Sequence, residues 1–209
     1  MRGARALVRA VPAALLAGLA LGGAAHAGSP AEDVRRHTER LVKILEDPTL
    51  GPAERRAAVR RVAAEAFDVA ETARRALGRH WHARTPAERG EFVRLFTELL
   101  ERAYVHRIDL YAGERVHITG ETVDGDYAVV RGRLVSPQRG EVPVEARLHR
   151  REGRWRIYDI AVEHVSLVAN YRAQFDRIIR TASYEELVRR LRARRDQEPE
   201  ATAPGRGGS

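Results

Sequence analysis

The hydrophobic period of this chain changes twice. Apolar residues recur at three- and four-residue spacing up to about residue 112, alternate from Glu114 to Val162, and return to helical spacing from Val165 onwards. A run of strands flanked by runs of helices is the pattern of an α+β domain, with helices packed on one face of an antiparallel sheet. The alternating region breaks at Asp124-Gly125-Asp126, at Ser136-Pro137 and at Glu152-Gly153, which predicts four antiparallel strands. In the third of these, Val142, Val144, Ala146 and Leu148 share one face, while Pro143, Glu145, Arg147 and His149 share the other. The first face is expected to be buried and the second wet. The fourth, from Trp155 to Val162, is apolar on both faces and reads as a central strand.

Capping signals place the helices. Ser29-Pro30-Ala31-Glu32 and Thr85-Pro86-Ala87-Glu88 are both capping boxes with proline at the first helical position. The first opens a helix carrying Val34, Leu41 and Leu45 on one face. The second opens the longest helix, carrying Phe92, Phe96, Leu99, Leu100, Tyr104, Ile108 and Tyr111. Between them lie a helix with Val59, Val62 and Ala66 and another with Phe67, Ala70, Ala73 and Leu77, stopped by Gly78. After the strands come a helix from 165 to about 180 and a last one capped by Ser183-Tyr184-Glu185-Glu186.

Both ends read as separate from the fold. Residues 1–27 combine Arg2, Arg5 and Arg9 with a 16-residue apolar stretch at 10–25 and the small-x-small site Ala25-His26-Ala27. That is an export leader cleaved after Ala27, shorter than the roughly 20 apolar residues that cross a membrane. The expected location is therefore a bacterial periplasm, with a folded domain over 28–195. The tail at 196–209 holds no large apolar residue and is expected to be disordered. The formal charge of +8 falls by three when the leader leaves. No cysteine is present, which excludes disulfides, thiol catalysis and iron–sulfur clusters.

Catalytic signatures are sparse. The nucleophile elbow, the zinc-protease helix, the phosphate-binding loop and the dinucleotide fingerprint are all missing from the sequence. His80-Trp81-His82 reads as a solvated loop rather than a metal site, and Asp124-Gly125-Asp126 as a hairpin turn rather than a calcium loop. Asp159, Glu163 and His164 would form an acid–base group only if the fold brought them together. The Arg-rich strand edges, at Arg131, Arg133, Arg147, Arg150, Arg151, Arg154 and Arg156, suit a solvated face or, as the functional alternative, docking to acidic protein surfaces or lipid headgroups. Export argues against nucleic acid. No metal or cofactor is expected, and no enzymatic activity.

The order of motifs carries more. Phe67-Asp68-Val69-Ala70 leads into Ala76-Leu77-Gly78-Arg79-His80-Trp81, then Thr85-Pro86-Ala87-Glu88-Arg89 and the Phe92-Val93-Arg94-Leu95-Phe96 helix. Trp155-Arg156-Ile157-Tyr158-Asp159-Ile160 runs into Glu163-His164-Val165-Ser166-Leu167-Val168 and Asn170-Tyr171-Arg172. Together these resemble the MlaC/Ttg2D family of periplasmic phospholipid-binding proteins, over about residues 31–195. One departure is His164, which stands where the family usually has glycine before Val-Ser. The resemblance implies a curved sheet and helices enclosing an apolar cavity that holds phospholipid acyl chains. It also implies a soluble, monomeric carrier between an outer-membrane lipoprotein/porin complex and an inner-membrane MCE-domain ABC transporter complex, maintaining outer-membrane lipid asymmetry. The lipid-binding residues it implies are Phe96, Leu100, Tyr104, Ile108 and Tyr111 from the long helix, with Val144, Ala146 and Leu148 from the third strand. Ile157, Ile160, Val165, Val168, Tyr171 and Phe175 complete the set. A hopanoid cargo on the same fold, a small cavity enzyme and a ligand-free adaptor are the alternatives.

Overall fold

Short turns dictate the sheet. β1 (Arg115–Asp124), β2 (Tyr127–Ser136), β3 (Gly140–Arg151) and β4 (Arg154–Val162) form a meander, each hydrogen-bonded antiparallel to the next. Gly125 (φ 56) and the pair Glu152-Gly153 (φ 52 and 73) supply the left-handed backbone that two-residue hairpins require. This computed structural model describes residues 28–138 and 140–196; the leader at 1–27 and the tail at 197–209 lie outside the described residues.

The sheet has five strands rather than the four expected. β5 (Val165–Ser166) is two residues long and pairs with Ala161 and Val162 at the end of β4. Val165 therefore lies in a strand and not in the helix the sequence predicts. The reason is Ser166, whose extended backbone and side chain, accepting from the Ala169 N–H, make it the N-cap of the helix that follows. Glu163 (φ 51) and His164 (φ 66) form the connecting turn, both left-handed without being glycine.

Among the described residues six α-helices accompany the sheet: α1 (Pro30–Glu46), α2 (Pro52–Ala66), α3 (Val69–Leu77), α4 (Pro86–Tyr104), α5 (Leu167–Thr181) and α6 (Tyr184–Asp196). Both predicted capping boxes are present, at Ser29 with Glu32 and at Thr85 with Glu88. Two helix boundaries differ from expectation. Phe67 lies outside α3, because it bridges Ile157 along the outer edge of β4. The long helix stops at Tyr104 and tightens into a 3-10 segment, Val105–Leu110. Three residues per turn replace 3.6 there, so Ile108 and Tyr111 leave the face that carries Phe92 and Phe96.

Packing divides into two cores. Phe92, Phe96 and Phe175, with Leu77, Leu95 and Leu187, form an all-helical core from α3 to α6. Phe175 meets Phe92 and Phe96 edge-on, at centroid distances of 5.7 and 5.5 Å, while Phe92 and Phe96 stack on each other. The second core sets Ala128, Val130, Ala146, Leu148, Trp155 and Ile157 of the sheet against Ala31 and Val34 of α1 and Ala66 of α2. A domain usually buries one contiguous cluster, so the division is itself a structural feature.

Two buried aspartates join the halves. Asp68, 8% exposed, caps α3 by accepting from the Glu71 N–H at 2.9 Å, and pairs with His149 and Arg151 of β3, each at 3.1 Å. Asp159 of β4, 3% exposed, accepts from the Val168 N–H at 3.0 Å in the first turn of α5, from the Ser166 hydroxyl at 2.6 Å and from Arg147 at 3.4 Å. Each carboxylate thus sits at a helix N-terminus, where the macrodipole favours negative charge.

Replacing Asp159 by Asn puts an amide donor against donors. Urea unfolding should show a loss of about 1–3 kcal/mol. For Asp68, burial alone would raise the carboxyl, but the Glu71 N–H, Arg151 and His149 outweigh it and hold it below the usual 3.8. A depressed carboxyl contributes in full above its unfolded value and loses that contribution as pH falls through the lowered one. The stability gap between wild type and Asp68→Asn should therefore be widest near neutrality and close below about pH 4 in acid unfolding.

Candidate functional site

The apolar face of the sheet is covered unevenly. Period two and the strand register place Val142, Val144, Ala146 and Leu148 of β3 on one face, as expected, with Leu134 and Val130 of β2 and Val116 and Ile118 of β1 opposite them. At the β3–β4 hairpin end this face is sealed: Leu148 is 1% exposed and Trp155 6%. Towards the other end it opens, through half-buried Ile160, Val144, Val142, Leu134 and Val116 to Val162, which is 42% exposed. A β-bulge helps to turn the face. It falls in β4, where the register slips between Arg147 and Leu148 of β3, leaving Tyr158 unpaired.

What lies near the open end comes from the later turns of α1 and from the 3-10 segment after α4. α1 lies over β1 and β2, and its Leu41 and Leu45 are half-buried on the face that carries Val34. The 3-10 segment with Ile108 packs on α2. Tyr111 closes the corner: its hydroxyl meets Arg115, and Arg115 in turn holds Glu46 at the end of α1. α4 packs on α3 and α6 rather than on the sheet. The half-buried apolar residues of the sheet, of α1 and of the 3-10 segment thus make the open end of this face the candidate apolar groove, with the sheet as its floor.

The comparisons with known proteins bear on this geometry. The profile of the MlaC protein family matches residues 35–193. The chain belongs to the MlaC family. Among solved structures, its fold is similar to that of a phospholipid-binding protein from Ralstonia solanacearum, solved in complex with a phospholipid. The TM-score is 0.70 and the identity 23%, over 79% of this chain and 96% of that one. At that identity the likeness establishes the MlaC-type α+β fold.

Within this family member the fourteen residues named from the sequence scatter over several environments. Phe96 and Phe175, with Tyr171 and Leu100 against them, belong to the helical core. Ala146, Leu148 and Ile157, with Ile160 against them, belong to the sheet core. Val144, Ile108 and Tyr111 are half-buried and lie in the groove region, while Val168 is buried beneath the Asp159 anchor. Tyr104 is 52% exposed and Val165 63%. Tyr104 hydrogen-bonds with Tyr171, whose hydroxyl burial pushes upward. The residues that sequence reading missed are Leu41, Leu45, Val116, Leu134 and Val142. Their alternation and helical spacing are plain, but only the register shows that they meet.

The other constellations resolve into structural roles. The Asp159 carboxylate is occupied by α5, and Glu163 and His164 are exposed in the β4–β5 turn, so the three do not form an acid–base group. His80 hydrogen-bonds Asp176 of α5 at 2.8 Å, and Trp81 packs on the helical core. The Arg-rich edges are mostly paired: Arg131 with Glu145, Arg133 with Glu141, Arg147 with Asp159, Arg150 with Asp126 and Arg151 with Asp68.

The β4–β5 turn borders the open end of the sheet and holds two non-glycine residues in left-handed backbone. His164→Gly should raise stability by about 1 kcal/mol, read as an upward shift in the denaturant midpoint. A loss would mean that the imidazole contributes more than the backbone strain removes.

Proposed function

We propose that this chain is a soluble periplasmic carrier that holds phospholipid acyl chains in the apolar groove and passes the lipid between outer-membrane and inner-membrane complexes. The observation that carries this reading is the uneven cover of the sheet: one continuous apolar face, sealed at the hairpin end and left open at the other. Membership of the MlaC family supports it, as does the phospholipid bound to the Ralstonia protein of similar fold. The partners proposed are an inner-membrane MCE-domain ABC transporter complex and an outer-membrane lipoprotein/porin complex.

Transfer energies explain why such a groove is needed. At ~0.8 kcal/mol per buried CH₂, an acyl chain of roughly 16 carbons gains on the order of 13 kcal/mol on leaving water. Free lipid is therefore negligible, and the groove must nearly match a bilayer in affinity. A much better site would never unload, and a poorer one would never fill. Net direction then comes from partners that bind one state of the carrier better than the other.

Native mass spectrometry on protein exported to a bacterial periplasm and purified without detergent tests the reading. About one phospholipid per chain is expected, and Val144→Glu, which places a charge on the groove floor, should reduce that occupancy at least about tenfold. Val165→Glu, on an exposed rim residue, should keep the fold while weakening loading. Wild-type protein that arrives empty and takes up no lipid from phosphatidylethanolamine–phosphatidylglycerol vesicles would overturn the carrier reading.

A further inference from the structure

The end of the sheet opposite the open groove carries a second feature, a cleft of about 590 Å³ between the β3–β4 hairpin and the α2–α3 junction. Ala64, Phe67 and Val69 line it together with Arg151, Arg154 and Arg156. Two of these arginines are engaged. Arg151 donates to Asp68 at 3.1 Å, and Arg156 donates through one nitrogen to the carbonyl oxygens of Ala64 and Glu65, at 2.9 and 3.1 Å, where α2 ends. Arg154 differs: it is exposed and, among the described residues, makes neither an ion pair nor a hydrogen bond. Three guanidinium groups thus face two carboxylates, Asp68 and Glu152, and the Asp68 carboxylate is already shared with His149 and the start of α3.

The backbone edge beside these side chains carries no paired strand among the described residues, although α2 ends beside Arg156. Phe67 bridges the outer edge of β4 only at Ile157, and β5 covers it only at Ala161 and Val162. Among the described residues no strand neighbours that edge from Arg154 to Arg156. Residues two apart on a strand point the same way, so the two guanidinium groups leave the backbone about 6.6 Å apart, which is also the spacing of alternate side chains on an added strand. The cleft is larger than a single phosphate requires.

We propose that this cleft docks an extended acidic segment of a protein partner, running along the edge of β4 with carboxylates at alternate positions meeting Arg154 and Arg156. Arginine forks suit carboxylates, and strand addition to an open sheet edge is a recurrent mode of peptide capture. The inference deepens the carrier reading and rests on it for the partner's role. Seven residues of β3 separate Val144 from Arg151, about 23 Å of strand, so a partner held here leaves the groove mouth clear.

Fluorescence anisotropy of a labelled peptide with alternating Glu and Thr, titrated with the full chain, tests the proposal. Saturable binding is expected, weakened at least about tenfold by Arg154→Glu, less by Arg154→Ala, and by added salt. A peptide of the same composition with its Glu residues contiguous should bind more weakly. Binding unchanged in Arg154→Glu, no saturable binding to wild type, or full displacement of the peptide by equimolar inorganic phosphate would each overturn it, the last by showing a simple anion site. Lipid occupancy measured on the same samples separates the two readings. Empty protein that still binds the peptide counts against the carrier, and loaded protein that ignores the peptide counts against the docking cleft.

Discussion

The arrangement of the whole domain depends on two carboxylates that each do two things. Asp68 and Asp159 are buried, cap or anchor the N-termini of α3 and α5, and are fixed to strands β3 and β4. A buried charge is tolerated only when it is fully partnered. Here the partners come from a helix start on one side and from strand arginines or a histidine on the other. That requirement ties the helices to the sheet at two points, one on β3 and one on β4. Apolar packing alone would draw the bundle and the sheet into one core. The aspartates fix the approach of α3 and α5, and the two cores remain distinct.

The divided core has an energetic consequence. Half-buried valines and leucines on the floor and wall of the groove forgo part of the burial that would stabilise an empty protein, at about 25 cal/mol per Å² of apolar surface left wet. That surface is recovered when acyl chain covers it, so ligand and fold are thermodynamically linked and occupancy raises apparent stability by mass action. The fully packed parts, the Phe92–Phe96–Phe175 cluster and the Leu148–Ile157 layer, supply the rigidity against which an incompletely covered surface persists.

Much of this was legible in the sequence because it follows from local rules. The period change at Glu114, the capping boxes at Ser29 and Thr85 and the turns at Gly125 and Gly153 depend on near neighbours, and each is found where expected. The misplacements differ in cause. Phe67 leaves α3 to bridge Ile157, far along the chain, which periodicity does not carry, whereas Val165 joins β5 through a local pairing with Val162 and the Ser166 cap. The site shows the same limit. Spacing identifies large apolar residues but does not distinguish those packed solid, such as Phe96, from those left half-covered, such as Val144. That distinction lies in how far α1 and the 3-10 segment reach across the sheet, which only the assembled register reveals.

The two ends of the sheet are chemically opposite, and on the proposed carrier reading the separation would matter for exchange between membranes. Apolar contacts at the groove set how tightly a lipid is held and therefore how fast it leaves. Charged contacts at the hairpin end act mainly on encounter and orientation, being long-ranged and screened by salt. Placing both at one surface would make every docking event compete with lipid transfer, and would expose a charged rim to the acyl chains. The meander avoids this by construction: adjacent strands run antiparallel, so the β3–β4 turn with its arginines necessarily lies at the end away from Val142, Val144 and Val162. The polarity of the carrier is in this sense a property of the hairpin order, set when Glu152-Gly153 turns the chain back on itself.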